Sequence, residues 1–317
     1  MAALFIALGA IVLTYAAAGT AVFFIALFRR DTRDLNYDGV SDEASFLPSG
    51  KSPFRRLSHE SNIWWNKQAL ERRQIESEGL KLTGHLLRAP QPTVNLAVVV
   101  HGHLNVSGEM GFIARMYRSR GFDVFMPDQR AHGKSEGRLI GMGERESRDL
   151  LLWLKMLLEE RPERKIVLHG ISMGAATVML ASAKEGLPEG VRCAVEDCGY
   201  TNAFDAILVT AKDDMKWLPF SRAALGIASG INLLLTGRSL KRVSPLEAVK
   251  RAQIPTLFIH GTADAVVPLE MCERLYESCC APKARYIVEG AAHGVAYFSD
   301  TAAYEKAVFD FIVKYMD

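Results

Sequence analysis

The chain predicts an α/β protein, with a mostly parallel central sheet covered by helices on both faces. Two observations lead there. Short apolar runs alternate with helical patterns over most of the 317 residues, as repeated strand–helix units require. The central runs, such as Leu96-Ala97-Val98-Val99-Val100, have no polar residue at alternate positions, so they suit strands buried on both faces. A third observation sets the start apart, because residues 4–28 are uncharged and mostly Ala, Leu, Ile, Val and Phe.

Taken in order, residues 1–28 read as a transmembrane helix that meets the membrane through residues 4–28. Such a helix spans about 37 Å, enough to cross a bilayer core of about 30 Å with tilt. The alternative is a cleaved signal peptide, which would begin basic and carry an apolar core of about 7–15 residues. Here no Lys or Arg precedes Arg29. Arg29, Arg30 and Arg33 follow the span, so the positive-inside rule gives a single-pass protein with its large domain in the cytoplasm.

Residues 29–60 are polar, with Pro48, Gly50 and Pro53, and read as a linker to one domain over 61–317. Within the linker, residues 36–42 resemble a calcium loop but lack its spaced ligands and final Glu. A helix is expected over about 63–73, its Trp64-Trp65 pair packing on the domain or sitting at a membrane interface. Strands at 74–78 and 81–88 flank a turn at Gly79. Then come strand 96–100, helix 109–120, strand 122–126, helix 144–159, strand 165–169, helix 174–185 and strand 191–196. After an interruption follow strand 255–259, helix 268–279, strand 284–288 and helix 300–316. Ligands in such sheets bind beyond the C-terminal ends of the strands.

The interruption, about residues 200–251, is helical and apolar-rich, with an uncharged run over 223–237. That run is too short to cross a bilayer. It reads as a small helical cap, with Phe204, Trp217, Phe220 and Leu225 as candidate pocket walls. Net charge is +2, which makes no electrostatic case for nucleic acid. The five cysteines are an odd number without C-x-x-C spacing, so neither a disulfide framework nor a zinc site is indicated.

The chemistry centres on Gly170-Ile171-Ser172-Met173-Gly174, a G-x-S-x-G turn between a strand and a helix. A serine needs a base and a group that orients it. His293, in the loop after the last strand, is the candidate base. Asp264, just past strand 255–259, is the candidate acid, with Glu196 and Asp197 as alternatives. His260 reads as a buried, hydrogen-bonded histidine. For the oxyanion, the backbone N–H groups of Met173 and His103 are the candidate donors. Metal binding by His101-x-His103 lacks further ligands nearby, and no metal or cofactor is implied.

Together these pieces resemble the α/β-hydrolase superfamily. The matching segments are His101-Gly102, Pro127-Asp128-Gln129-Arg130-Ala131-His132-Gly133-Lys134-Ser135, Gly170 to Gly174, His260-Gly261-Thr262-Ala263-Asp264, and Gly290-Ala291-Ala292-His293. The resemblance covers about residues 74–317 and is nearest the bacterial serine esterases and prolyl-oligopeptidase-like enzymes. It implies the α/β-hydrolase fold and an acyl-enzyme on Ser172. It also implies that the Asp128–Ser135 loop packs beneath the site, so that Asp128, Arg130 and His132 are structural. The chain departs from that pattern at Ala131, where a glycine commonly precedes the histidine. A carboxylic-ester hydrolase acting on a small acyl ester or lipid-like substrate is expected. The branch also contains peptidases, thioesterases and acyltransferases on the same triad, and a non-catalytic membrane scaffold is the alternative of another class.

Overall fold

The computed structural model describes residues 2–29, 53–214 and 221–316. Eight strands form one sheet: β1 (Leu70–Ser77), β2 (Leu80–Leu87), β3 (Asn95–Val100), β4 (Asp123–Pro127), β5 (Lys165–Ile171), β6 (Val191–Asp197), β7 (Thr256–Gly261) and β8 (Lys283–Val288). The described helices are α1 (Ala2–Leu27), α2 (Pro53–Asn66), α3 (Gly111–Ser119), α4 (Glu144–Glu160), α5 (Met173–Ser182), α6 (Ala203–Asp214), α7 (Ser221–Thr236), α8 (Pro245–Val249), α9 (Leu269–Ser278), α10 (Ala296–Ser299) and α11 (Thr301–Ile312).

Strand order is β1-β2-β4-β3-β5-β6-β7-β8. The first two strands pair antiparallel, β2 pairs antiparallel with β4, and the other pairings are parallel. Glu78 and Gly79 close the β1–β2 hairpin, both with positive φ, as a two-residue turn that follows strand twist requires. Chain order reverses around β3, which lies between β4 and β5. The crevice at that reversal is where the strands' C-terminal ends can receive a ligand.

Local sequence explains most elements. Leu96 to Val100 are buried on both faces of the sheet. Along α4, Leu150, Trp153, Leu154 and Leu157 fall on one helical stripe and are buried. Every residue of α5 is buried, so that helix is enclosed on all sides. Ser244 caps α8 by accepting from the Glu247 N–H, with Pro245 in the first turn, and Asp300 caps α11 through the Ala303 N–H.

Two expectations near the N-terminus are corrected. The helix placed at 63–73 instead runs Pro53–Asn66, and β1 begins at Leu70. The segment Leu70-Glu71-Arg72-Arg73-Gln74 is rich in helix formers, but its pairing with β2 overrides that preference. Trp65 is buried beneath α3, and Trp64 holds Arg115 over its ring at 4.9 Å, so the pair packs on the domain.

Of the segment read as linker, Arg29 is docked on the domain and residues 53–60 belong to α2. The Arg29 N–H donates to the Arg138 carbonyl at 2.7 Å, and the Ile140 N–H donates to Leu27 at 2.8 Å. The end of α1 is therefore docked on the domain. Residues 30–52 lie outside the described residues.

The remaining contacts of α1 follow from its sequence. Val22, Phe23, Ala26 and Leu27 are buried in one cluster with Met173, Phe204 and Leu225. Phe5, Ile6, Ile11, Val12 and Leu13, towards its start, are exposed. Gly19 lets α1 meet α7, because a Cβ there would lie 2.6 Å from the Ile227 Cβ and 2.7 Å from the Ala224 carbonyl.

Candidate active site

Ser172 stands between β5 and α5 at φ 56°, ψ −116°, a backbone state that costs an ordinary side chain about 1–3 kcal/mol. The surroundings enforce it. The Ser172 N–H donates to the Asp197 carbonyl at 2.8 Å, and the Ser172 carbonyl accepts from Ala176 as α5 begins. Both motif glycines are obligatory. A Cβ on Gly170 would lie 2.2 Å from the Gly174 carbonyl oxygen, and one on Gly174 would lie 2.1 Å from the Val100 carbonyl oxygen.

Two loops bring the base and the acid to the serine. Asp264 follows β7 and His293 follows β8. The loops are tied together by the Ala263 N–H donating to Ala291 and the Gly290 N–H donating to the Thr262 hydroxyl. The His293 Nδ1 lies 2.7 Å from the Asp264 Oδ2, and its Nε2 lies 2.9 Å from the Ser172 Oγ. Asp264 Oδ1 accepts from the Val266 and Val267 N–H groups at 2.9 and 2.8 Å. The aspartate thus holds a turn and orients the imidazole. With Nδ1–H facing the carboxylate, Nε2 is left free to take the serine proton.

The other groups named from sequence fall into place around this triad. His260 is buried, and its Nε2 donates to the Val267 carbonyl at 2.8 Å. Glu196 and Asp197 are buried, and burial pushes their carboxyls up to about 8 and about 7, so near neutral pH Glu196 favours the neutral form and Asp197 lies near its midpoint. Asp197 accepts from the Tyr304 hydroxyl at 2.8 Å, and the Tyr304 oxygen lies 3.1 Å from the His169 Nε2, whose Nδ1 lies 3.0 Å from the Tyr117 hydroxyl. Burial pulls His169 down to about 3, so its ring is neutral and can donate at one nitrogen and accept at the other. No sequence motif marks this chain of groups.

The Asp128–Ser135 loop is structural. Asp128 accepts from the Ser107 and Lys134 N–H groups, each at 2.9 Å. The buried guanidinium of Arg130 makes a two-pronged pair with Asp149 at 2.6 and 2.5 Å, and reaches Glu78 at 2.7 Å. His132 Nε2 accepts from the Leu104 N–H at 3.1 Å. Ala131 takes φ 62°, which is the conformational freedom a glycine would have supplied.

His103 follows β3, and an ideal Cβ on the adjoining Gly102 would lie 3.5 Å from the Ser172 Cβ, so this loop runs beside the nucleophile. Met173 opens α5 and its side chain is buried. Phe204 and Leu225 are buried in the cluster that contains Met173. Lys241 lies over the Phe204 ring at 5.0 Å. Trp217 and Phe220 lie outside the described residues.

One neighbour escaped the sequence reading. Cys198 lies one residue past β6 at φ 50°, with its Sγ 4.0 Å from the His293 Nε2. Cys198, Asp264 and His293 offer metal-ligand atoms within 4.8 Å of one another. Both imidazole nitrogens are already engaged by Asp264 and Ser172, and burial raises the Cys198 thiol well above its usual range. With both ring nitrogens so engaged, this grouping suits proton transfer.

Comparison with known proteins agrees with the geometry. A family model described as serine aminopeptidase, S33, matches residues 91–194, and one described as serine hydrolase (FSH1) matches residues 166–297. The uncharacterized protein YqkD of Bacillus subtilis is 32% identical over 226 residues, covering 71% of this chain and 73% of the relative. Among solved structures, the esterase Pf2001 of Pyrococcus furiosus aligns with a TM-score of 0.64 at 20% identity, covering 79% of this chain and 94% of that one. The acylaminoacyl peptidase of Pyrococcus horikoshii aligns with a TM-score of 0.59 at 18% identity, covering 81% of this chain and 43% of that one. At those identities the structural likeness speaks for the fold.

Proposed function

We propose that this chain, which belongs to the α/β-hydrolase superfamily of serine hydrolases, cleaves carboxylic esters at Ser172 on a domain tethered to a membrane. The observation that carries the chemistry is the unbroken line Ser172–His293–Asp264, with contacts of 2.9 and 2.7 Å on a strained turn. His293 takes the Ser172 proton as Oγ attacks the ester carbonyl. Asp264 stabilises the imidazolium that forms. His293 then gives its proton to the departing alcohol, leaving an acyl group on Oγ. Water activated by the same imidazole releases the acid and restores the serine.

The backbone N–H groups of His103 and Met173 are the proposed oxyanion donors. The approach of the Gly102 backbone to Ser172 supports the first, and the position of Met173 at the start of α5 supports the second. The segment between β6 and β7 would act as a cap. Phe204 and Leu225 support its inner packing, and Trp217 and Phe220 remain proposed pocket walls.

The membrane reading rests on α1. Its Gly9–Leu27 stretch has a mean hydropathy of 2.1, and its exposed start carries Phe5, Ile6, Ile11, Val12 and Leu13. The anchor would hold the catalytic domain on the cytoplasmic face. A lipid-like or other apolar acyl ester fits a site held at a membrane surface. Peptide cleavage is the second reading, favoured by the serine aminopeptidase match over residues 91–194.

Purified full-length protein in detergent should hydrolyse acyl esters, and Ser172→Ala should lower turnover by several orders of magnitude. Undiminished ester hydrolysis by Ser172→Ala would overturn the mechanism. Parallel assays on ester, thioester and aminoacyl substrates decide between the two readings.

A further inference from the structure

The C-terminal turn of α1 does more than join the helix to the domain. Its contacts fall on the loop that runs beside the nucleophile and on residues 133–140. The Ala26 carbonyl accepts from the His103 Nε2 at 2.8 Å. The Leu27 carbonyl accepts from the Ile140 N–H at 2.8 Å, the Arg29 N–H donates to Arg138, and Phe28 bridges to Leu139. The Arg29 guanidinium reaches the Ser135 carbonyl at 2.5 Å and the Gly133 carbonyl at 2.6 Å. That second loop in turn grips the first, because its His132 accepts from the Leu104 N–H at 3.1 Å. Leu104 holds φ 56°, a state that an ordinary residue keeps only when its surroundings impose it. The loop carrying His103 is therefore clamped between α1 and the 128–135 segment.

We propose that the last turn of α1 is a positioning element of the oxyanion hole, so that the seating of α1 against α7 sets the turnover of Ser172. The inference rests on the proposed role of the His103 N–H. The imidazole of His103 is the handle: while Ala26 holds the ring, the backbone N–H of the same residue is held towards the carbonyl that Ser172 attacks. Oxyanion donors act through fixed geometry, and loss of one costs about 10²–10³-fold in kcat. Turnover at Ser172 is thereby tied to how the helix that meets the lipid is packed.

The test uses full-length protein in detergent micelles and two substitutions on α1, both remote from Ser172. Gly19→Leu must push α1 off α7, since a Cβ there already meets Ile227 and Ala224 at 2.6 and 2.7 Å. Gly9→Leu enters open space, with nothing within 4 Å of its Cβ. Each protein is assayed for kcat and KM on one ester. Each is also titrated with a trifluoromethyl ketone of the same acyl group, whose carbonyl carbon takes up Ser172 Oγ while His293 receives the proton. Gly19→Leu should lose about tenfold or more in kcat and a similar factor in ketone affinity, with KM within about twofold. Gly9→Leu should match wild type.

His103→Ala and His103→Gln supply the second arm, which stands even where Gly19→Leu does not fold. The alanine should show the same loss. The glutamine amide can still donate to Ala26, and should restore most of the activity. Wild-type turnover and ketone affinity in both Gly19→Leu and His103→Ala would overturn the inference alone. If wild type neither turns over an ester panel nor reacts with a fluorophosphonate, the esterase reading falls and the inference falls with it.

Discussion

Replacing Asp264 with asparagine tests the triad more sharply than removing it. Asp264 Oδ1 accepts two backbone N–H groups, from Val266 and Val267, and Oδ2 faces His293. An asparagine side chain has one oxygen and one NH₂. Turning the NH₂ towards Val266 and Val267 would set donor against donor at two sites, at about 1–3 kcal/mol each. Even the lower bound, about 2 kcal/mol in total, favours the opposite orientation about thirtyfold. The amide therefore keeps its oxygen on the turn and presents N–H to His293 Nδ1. Nδ1 must then accept, and the ring proton moves to Nε2, where it faces Ser172. An imidazole protonated there cannot take the serine proton. Turnover of Asp264→Asn should fall about 10⁴-fold, as for the wrong tautomer in a serine protease triad, or about 5.5 kcal/mol. Thermal stability should change little, because both turn hydrogen bonds survive. Asp264→Ala should lose those bonds as well and melt lower. The assay is steady-state kcat on a soluble acyl ester, with the melting temperature followed by circular dichroism. A kcat for Asp264→Asn within tenfold of wild type would refute the reasoning.

Three further outcomes are expected. Gly174→Ala puts a Cβ 2.1 Å from the Val100 carbonyl oxygen, so β3 and α5 must part by about 1 Å. A displacement of that size can cost about 10²-fold in kcat, and wild-type kcat and melting temperature in this variant would contradict the tight turn. Burial pushes Glu196 and Asp197 up to about 8 and about 7, from ordinary values of 4.5 and 3.8. Between those values the folded chain holds protons that the unfolded chain has released, so their contribution to stability is full below about pH 4 and is lost as pH rises towards 8. Glu196→Gln should shrink the loss of urea midpoint between pH 5.5 and pH 8.5, and an unchanged slope would count against burial as the cause. Arg130→Met removes one partner of the buried pair with Asp149 and should cost about 3–5 kcal/mol by urea unfolding, while Arg130→Lys, which keeps the charge without the two-pronged geometry, should fall between.

The triad was legible because each member sits in a short segment whose local pattern states its place. Ser172 lies between an apolar strand and a helix, and Asp264 and His293 each lie just past a strand. Closing the sheet then carries all three to one edge. What was not legible depends on contacts between distant segments. The docking of residues 26–29 on His103 and on residues 133–140 leaves no trace in an apolar run that reads as a plain membrane span. Cys198 reaches His293 only because β6 ends beside β7, and a lone cysteine announces nothing of the kind. The boundary between α2 and β1 was misplaced because Glu, Arg and Gln favour a helix locally. A strand forms there because β2 offers hydrogen bonds along its whole length. The packing of α1 was missed for a related reason. An uncharged helix shows no polar face from which to infer which side meets protein, and only the close approach at Gly19 marks it.

The segment between β6 and β7 enters and leaves the domain almost at one point. The Ala203 N–H donates to the Val243 carbonyl at 3.0 Å, and the Leu246 N–H donates to the Thr201 carbonyl at 3.0 Å, so the two stems are stitched together where they meet the domain. A stretch closed in this way is a cassette. Its helices can be lengthened, shortened or exchanged without moving the strands that carry Ser172, Asp264 and His293. If the segment is the proposed cap, the acyl group admitted to the site would drift with the cassette over evolutionary time, within the limit that α7 keeps its seat for Gly19 of α1.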